Sequence, residues 1–197
     1  MKGTRMRPKQ DNYPDTTLRS VNWSKDIDDV RRYFGEYRQW IADHRDRAAS
    51  GISVGLDSID KQIAELPGAY GPPRGDVLLA FMKEEPVACE ALRKLEPKVG
   101  EIKRLYIRAD HRGVEFGLRL TSAILSRARE LGYERIRVDT LSTMTAAIQF
   151  YKELGFRPIP AYWPHPAPGA LFFEEDLAKP KPASRRPGAS SPRRSGV

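Results

Sequence analysis

The chain has 197 residues, 40% apolar and 30% charged, with a formal net charge of +8. That length suits one domain with a proper core, and no apolar run approaches the roughly 20 residues of a membrane helix. The charge sits at the ends, with Lys179, Lys181, Arg185, Arg186, Arg193 and Arg194 in an acid-free stretch and residues 21–178 close to neutral. Nucleic-acid binding would therefore rest on the tails alone.

Residues 1–20 are polar, basic and broken by proline, and read as a disordered segment without the apolar core of a secretory signal. A first helix is expected from about Asp26 to His44, with Ser24 as N-cap and Ile27, Val30, Phe34, Tyr37 and Ile41 as its apolar face. A second runs from Leu56 to Leu66. After the loop GAYGPPRG, Val77–Lys83 and Val87–Leu95 read as a hairpin turning at Glu84-Glu85-Pro86. Glu101–Ile107 is a further strand, and a helix begins near Glu115 with Leu118, Thr121, Ile124, Leu125, Ala128 and Leu131 on one face. Gly132 is placed to end it. Arg135–Thr140 alternates as a strand, Thr143–Leu154 is a helix, and Phe156–Pro160 and Ala170–Leu177 are extended. The domain is thus mixed α/β over 21–178, with a disordered Pro/Ser/Arg-rich tail over 179–197.

Between strand and helix lies Arg112-Gly113-Val114-Glu115-Phe116-Gly117. A glycine-containing turn entering a helix presents free N–H groups and a positive dipole end, which suits phosphate. The same residues also satisfy a plain turn that needs glycine for its φ angle. The single cysteine, Cys89, reads as a small buried hydrophobe. His44, His111 and His165 have no metal-ligand spacing, so no metal is expected.

Three pieces together resemble the GNAT superfamily of N-acetyltransferases, its small bacterial members in particular. The loop Arg112–Gly117 matches the superfamily's R/Q-x-x-G-x-G/A pattern. ALRKL and EIKRLYIR are similar to its third and fourth strands, and DTLSTMTAAIQFYKELGF to a later strand and helix. The resemblance implies a mixed, mostly antiparallel twisted sheet of about six to seven strands with about four helices. It implies acetyl-CoA as donor and a primary amine, of a small molecule or a peptide, as acceptor. The sheet would splay between its fourth and fifth strands. Backbone groups of Leu105, Tyr106 and Ile107 would pair with the pantetheine arm, and Arg112, Gly113, Val114, Glu115, Phe116 and Gly117 would hold the pyrophosphate. Two positions depart from the pattern: Glu115 stands where the loop carries a central glycine, and Met144 where many members carry asparagine. A non-catalytic acyl-CoA-binding module is the alternative these departures raise.

The resemblance also assigns roles. Tyr151 would protonate the departing thiolate, or pack as a core tyrosine. Glu101 would act as general base toward the amine, or pair with Lys103 or Arg93. Arg93, Lys103 and Arg104 place positive charge on the acceptor side, to clamp a carboxylate of an amino acid or small acidic amine, or as ordinary strand-surface charge. Tyr162, Trp163 and His165 lie in the loop that borders the acceptor pocket, where the aromatics would wall it or cap the core and His165 has the pKa range of a base. A cytoplasmic location without membrane partners is expected, and the fold allows a homodimer.

Overall fold

The run Val77-Leu78-Leu79-Ala80-Phe81 lacks the alternation of a half-exposed strand, and in the computed structural model of the chain both its faces are covered. The structure describes residues 16–45, 56–112, 114–164, 166 and 168–178. Within them seven strands form one sheet: β1 (Thr16–Ser20), β2 (Asp76–Met82), β3 (Glu85–Glu96), β4 (Val99–Ile107), β5 (Arg135–Leu141), β6 (Arg157–Ile159) and β7 (Ala170–Asp176). The α-helices are α1 (Trp23–Arg45), α2 (Leu56–Ala64), α3 (Val114–Glu130) and α4 (Thr145–Glu153). The strand order is β1-β2-β3-β4-β5-β7-β6, and every neighbouring pair is antiparallel except β4 with β5. This is the expected mixed α/β architecture.

Side-chain alternation along β2 divides the core in two. Val77, Leu79 and Phe81 join Val30, Tyr33 and Phe34 of α1 in one cluster. Leu78 and Ala80 join Phe116, Leu120, Ile124 and Leu125 of α3 and Tyr151 of α4 in the other. The sheet is thus a middle layer between two helical layers. Phe34 is fully buried, and truncating such a residue to alanine costs about 3–5 kcal/mol.

Three expectations are corrected. Thr16–Ser20, placed in the disordered segment, form an edge strand on β2. One apolar side chain, Leu18, gives a weak strand signal. The segment is held instead by Arg19 on Asp26 (2.6 and 3.0 Å) and Ser20 on Asp76 (2.8 Å). The remaining expectations for 1–15 and 179–197 lie outside the described residues. The cap of α1 is Asn22, not Ser24: its Oδ1 accepts from the Ser24 N–H at 3.1 Å, and Asp26 accepts from the Asn22 N–H at 2.6 Å. On α3, Leu118 is 40% exposed rather than in the core. At about 100° per residue it lies roughly 120° from Ile124, and Phe116 and Leu120 complete the buried face instead.

α3 ends as expected. Gly132 has a φ of 82°, and the Tyr133 N–H reaches back to the Ala128 carbonyl at 3.0 Å. The chain then enters β5, parallel to β4. The two strands pair only from Val99–Glu101 to Arg135–Arg137. Gly100 sits at this junction: an added Cβ would come within 2.7 Å of Ile136 Cδ1. Beyond it the strands part.

Candidate active site

The parting strands open a cleft of about 550 Å³. Leu105 of β4 and Val138 and Thr140 of β5 form its walls, Tyr37 and Trp40 of α1 overlook it, and Tyr151 of α4 lines it from the opposite layer. Its polar end is shaped by an irregularity in β4. The β3–β4 register shifts between Cys89 and Ala91, and Arg104 takes a φ of 61°. This inserts an extra residue in β4, a bulge. Lys103 and Arg104 therefore both line the cleft, where a regular strand would send them to opposite faces.

Beneath that end lies a network centred on Glu101, which is 0% exposed. Arg93 Nε donates to Oε2 at 2.7 Å, while the Tyr162 hydroxyl at 3.0 Å and Lys103 Nζ at 3.1 Å meet Oε1. Lys103 Nζ also lies 2.5 Å from Asp139 Oδ1. Burial alone would lower the Lys103 pKa, but Asp139 and Glu101 outweigh it and raise it. Burial would raise that of Asp139, and Lys103 outweighs this and lowers it. Both groups are therefore charged at neutral pH. Trp163 covers the network, its ring 5.4 Å from Arg93 Cζ and 5.9 Å from Lys103 Nζ.

The expected general base thus has both oxygens engaged and no surface exposed. Its surroundings match the pairing role raised for it, with Tyr162 as an additional partner. Tyr151 does line the cleft. It is 5% exposed and packs between Phe150 and Phe156, each with centroids 5.4 Å away. Burial, with Glu90 and other acidic groups nearby, pushes its pKa well above the ordinary phenol value, so it holds its proton.

The side chains of the residues expected to hold the donor point in different directions. Leu105 lines the cleft. Tyr106 points to the α1 side, its ring 6.2 Å from Tyr33, and Ile107 packs against the α3 core. Arg112 donates to the Ile107 carbonyl at 3.2 Å and stacks 5.7 Å from Trp40. α3 begins at Val114, and Phe116 and Gly117 are buried in its first turn. Gly113, the side chains of Val114 and Glu115, and His165 lie outside the described residues. Met144 lines the cleft and precedes α4 without a side-chain cap, with Thr140 Oγ1 3.5 Å from its sulfur.

A family model for the acetyltransferase (GNAT) family matches residues 57–156, from the start of α2 to the end of α4. The chain belongs to the acetyltransferase (GNAT) family. Membership makes it an acyltransferase. An uncharacterised N-acetyltransferase of Schizosaccharomyces pombe is 29% identical over 165 residues, covering 83% of this chain and 96% of that protein. One of Dictyostelium discoideum is 35% identical, covering 75% and 92%. Among solved structures, yncA of Salmonella typhimurium, determined with its cofactor acetyl-CoA, has a TM-score of 0.57 at 16% identity and covers 87% of this chain and 99% of that one. That likeness speaks to the fold.

Within this GNAT frame, sequence reading missed Asp139 and Gln62, which both line the cleft, and assigned Tyr37 to the core. A signal for Asp139 was present: Arg135, Arg137 and Asp139 alternate with Ile136 and Val138, so β5 has one charged face and one apolar face. Cys89, by contrast, is the expected buried hydrophobe, its Sγ 3.4 Å from the Arg104 carbonyl. No helix among the described residues is long and apolar enough to cross a membrane, and none of their side chains form a metal-holding cluster.

Proposed function

We propose that the chain is an N-acetyltransferase that moves the acetyl group of acetyl-CoA onto a primary amine, of a small molecule or a peptide, by direct attack in a ternary complex. The observation that carries this reading is the parting of β4 from β5 after Glu101 and Arg137, which leaves unpaired strand backbone beside a cleft reached by Tyr151. Backbone of Leu105, Tyr106 and Ile107 offers the pantetheine arm an added-strand contact. The first turn of α3, with Arg112 before it, suits the pyrophosphate. The acetyl-CoA-bound yncA structure, of the same fold, supports the choice of donor.

In the reaction the amine nitrogen attacks the thioester carbonyl, the C–N bond forms, and the C–S bond breaks. The sulfur leaves with the bonding pair and takes a proton, for which Tyr151 is the donor. Its burial keeps it protonated until that step. The ammonium form of the acceptor first loses one proton to solvent, because Glu101 is committed to Arg93, Lys103 and Tyr162, and the second proton that the nitrogen sheds as the amide forms restores the Tyr151 hydroxyl through solvent. Glu101 is then a positioning residue that fixes the charged wall of the cleft. Alignment of the two reactants in the cleft supplies much of the remaining acceleration.

The test is free-thiol release from acetyl-CoA over a panel of primary amines, with the acetylated product identified by mass. Amine-dependent release is expected. Donor binding without release on any amine would leave a non-catalytic acyl-CoA-binding module.

A further inference from the structure

At the polar end of the cleft the charges do not balance. Arg93, Lys103 and Arg104 face the two carboxylates of Glu101 and Asp139. Arg93 pairs with Glu101, and Lys103 bridges Glu101 and Asp139. Arg104 has no carboxylate partner among the described residues. Its Nη2 donates to the neutral Gln62 Oε1 at 2.8 Å, an oxygen that also accepts from the Tyr70 hydroxyl at 2.5 Å. Its Nε is buried without a hydrogen-bond partner among the described residues. The residue is only 7% exposed and lines the cleft, clamped over the rings of Tyr37 (5.2 Å) and Phe34 (5.9 Å). A guanidinium cannot shed its charge as a buried lysine can, and a buried charge is costly unless paired. The unusual φ of 61° at Arg104 turns this side chain toward the helices rather than into the other core. The bulge that shapes the polar end of the cleft thus installs there a cation with no carboxylate partner among the described residues.

We propose that Arg104 recognises a carboxylate on the acceptor, so that the amine this site takes is that of an amino acid or a similar amino-carboxylic acid. This rests on the transferase reading above. The stoichiometry of charge supports it. The form of an amino acid that attacks has a neutral amine and one carboxylate, hence one net negative charge, which matches the one cation left over. The acetylated product carries the same charge. A simple alkylamine brings no anion and leaves Arg104 unpaired. A phosphate monoester brings more than one negative charge near neutral pH, beyond what Arg104 alone offsets.

The experiment measures binding as well as turnover. N-acetyl amino acids with aliphatic and aromatic side chains, and their primary amides, are titrated calorimetrically into the full chain with CoA present. Acids are expected to bind roughly 10- to 100-fold tighter than the matching amides, the range for a charge-assisted hydrogen bond to a buried group. Arg104→Gln should erase that preference and Arg104→Lys restore part of it, with CoA binding confirming that each variant is folded. The acid–amide comparison on the wild type stands without any variant. Equal binding of acid and amide, or binding of neither, overturns the proposal. Thiol release with free amino acids and their decarboxylated amines is read separately. Turnover without preference for the acid overturns the carboxylate site and keeps the transferase. A preference in binding with no turnover keeps the Arg104 site and overturns the transferase.

Discussion

At Tyr151, one cause has two effects. Burial between Phe150 and Phe156 fixes the ring, and the same burial holds the proton on the hydroxyl. A core tyrosine and a thiolate acid are therefore not alternatives that packing can separate, and kinetics must. Tyr151→Phe keeps the ring and removes the proton. It should lower kcat by about 100-fold at saturating acetyl-CoA, in the range of general acid–base catalysis, while KM for the donor changes little. Glu101 has a different signature. Glu101→Gln leaves Arg93 and Lys103 largely buried with one less negative charge, so urea denaturation should report a loss of about 3 kcal/mol, the scale for breaking a buried pair. Activity lost without stability would return it to the role of base. Both residues were legible in the sequence as candidates, and so was the pairing of Glu101 with Arg93 or Lys103. Its Tyr162 partner was not, because it comes from a loop beyond the last helix, and no local pattern records a partner so distant in the chain.

Among the elements, β4 and α3 set the site between them. β4 supplies an open edge and a bulge, and α3 crosses back to the parallel β5. The strands and helices were readable from periodicity and from Gly132, since a helix face and a strand run are local properties. β1 was not, because it is held by ion pairs and by β2 rather than by its own apolar content. The bulge at Arg104 was also hidden. Nothing in Lys103-Arg104-Leu105 demands a positive φ, which the pairing with β3 imposes. Gly117, in the first turn of α3, allows a test of this element. A Cβ there would meet Phe150 at 3.5 Å, an ordinary contact. Gly117→Ala should therefore raise thermal stability, by up to about 1 kcal/mol of helix propensity. If the pyrophosphate closely approaches this turn, acetyl-CoA affinity should fall in the same variant; unchanged affinity would place the phosphates elsewhere.

Across the whole molecule, the sheet is continuous from β1 to β6, yet its middle is only loosely stitched. Its two halves join through three residues of β4 and three of β5, and α3, packed on β2, β3 and β4, shares an apolar cluster with Ile136 and Val138 of β5. Within that packing lies Glu90, fully buried, with one oxygen accepting from the Thr121 hydroxyl at 2.9 Å and the other without a partner among the described residues. Burial pushes its pKa up to about 8, the Thr121 hydrogen bond opposing this only in part. The sign follows from linkage: the folded state holds this proton where the unfolded chain has lost it, so global stability falls as pH rises from about 4.5 toward 8. Glu90→Gln should flatten that part of the profile and melt higher than wild type at pH 8.5. A slope unchanged by the substitution would place its origin elsewhere.

The proposed reaction requires donor and acceptor to meet in the gap between β4 and β5. A crystal structure of the protein with CoA tests it most directly. The pantetheine arm is expected along Leu105–Ile107 between the two strands, with the thiol sulfur within hydrogen-bond reach of the Tyr151 hydroxyl. CoA bound outside that gap, or a sulfur remote from Tyr151, would contradict it.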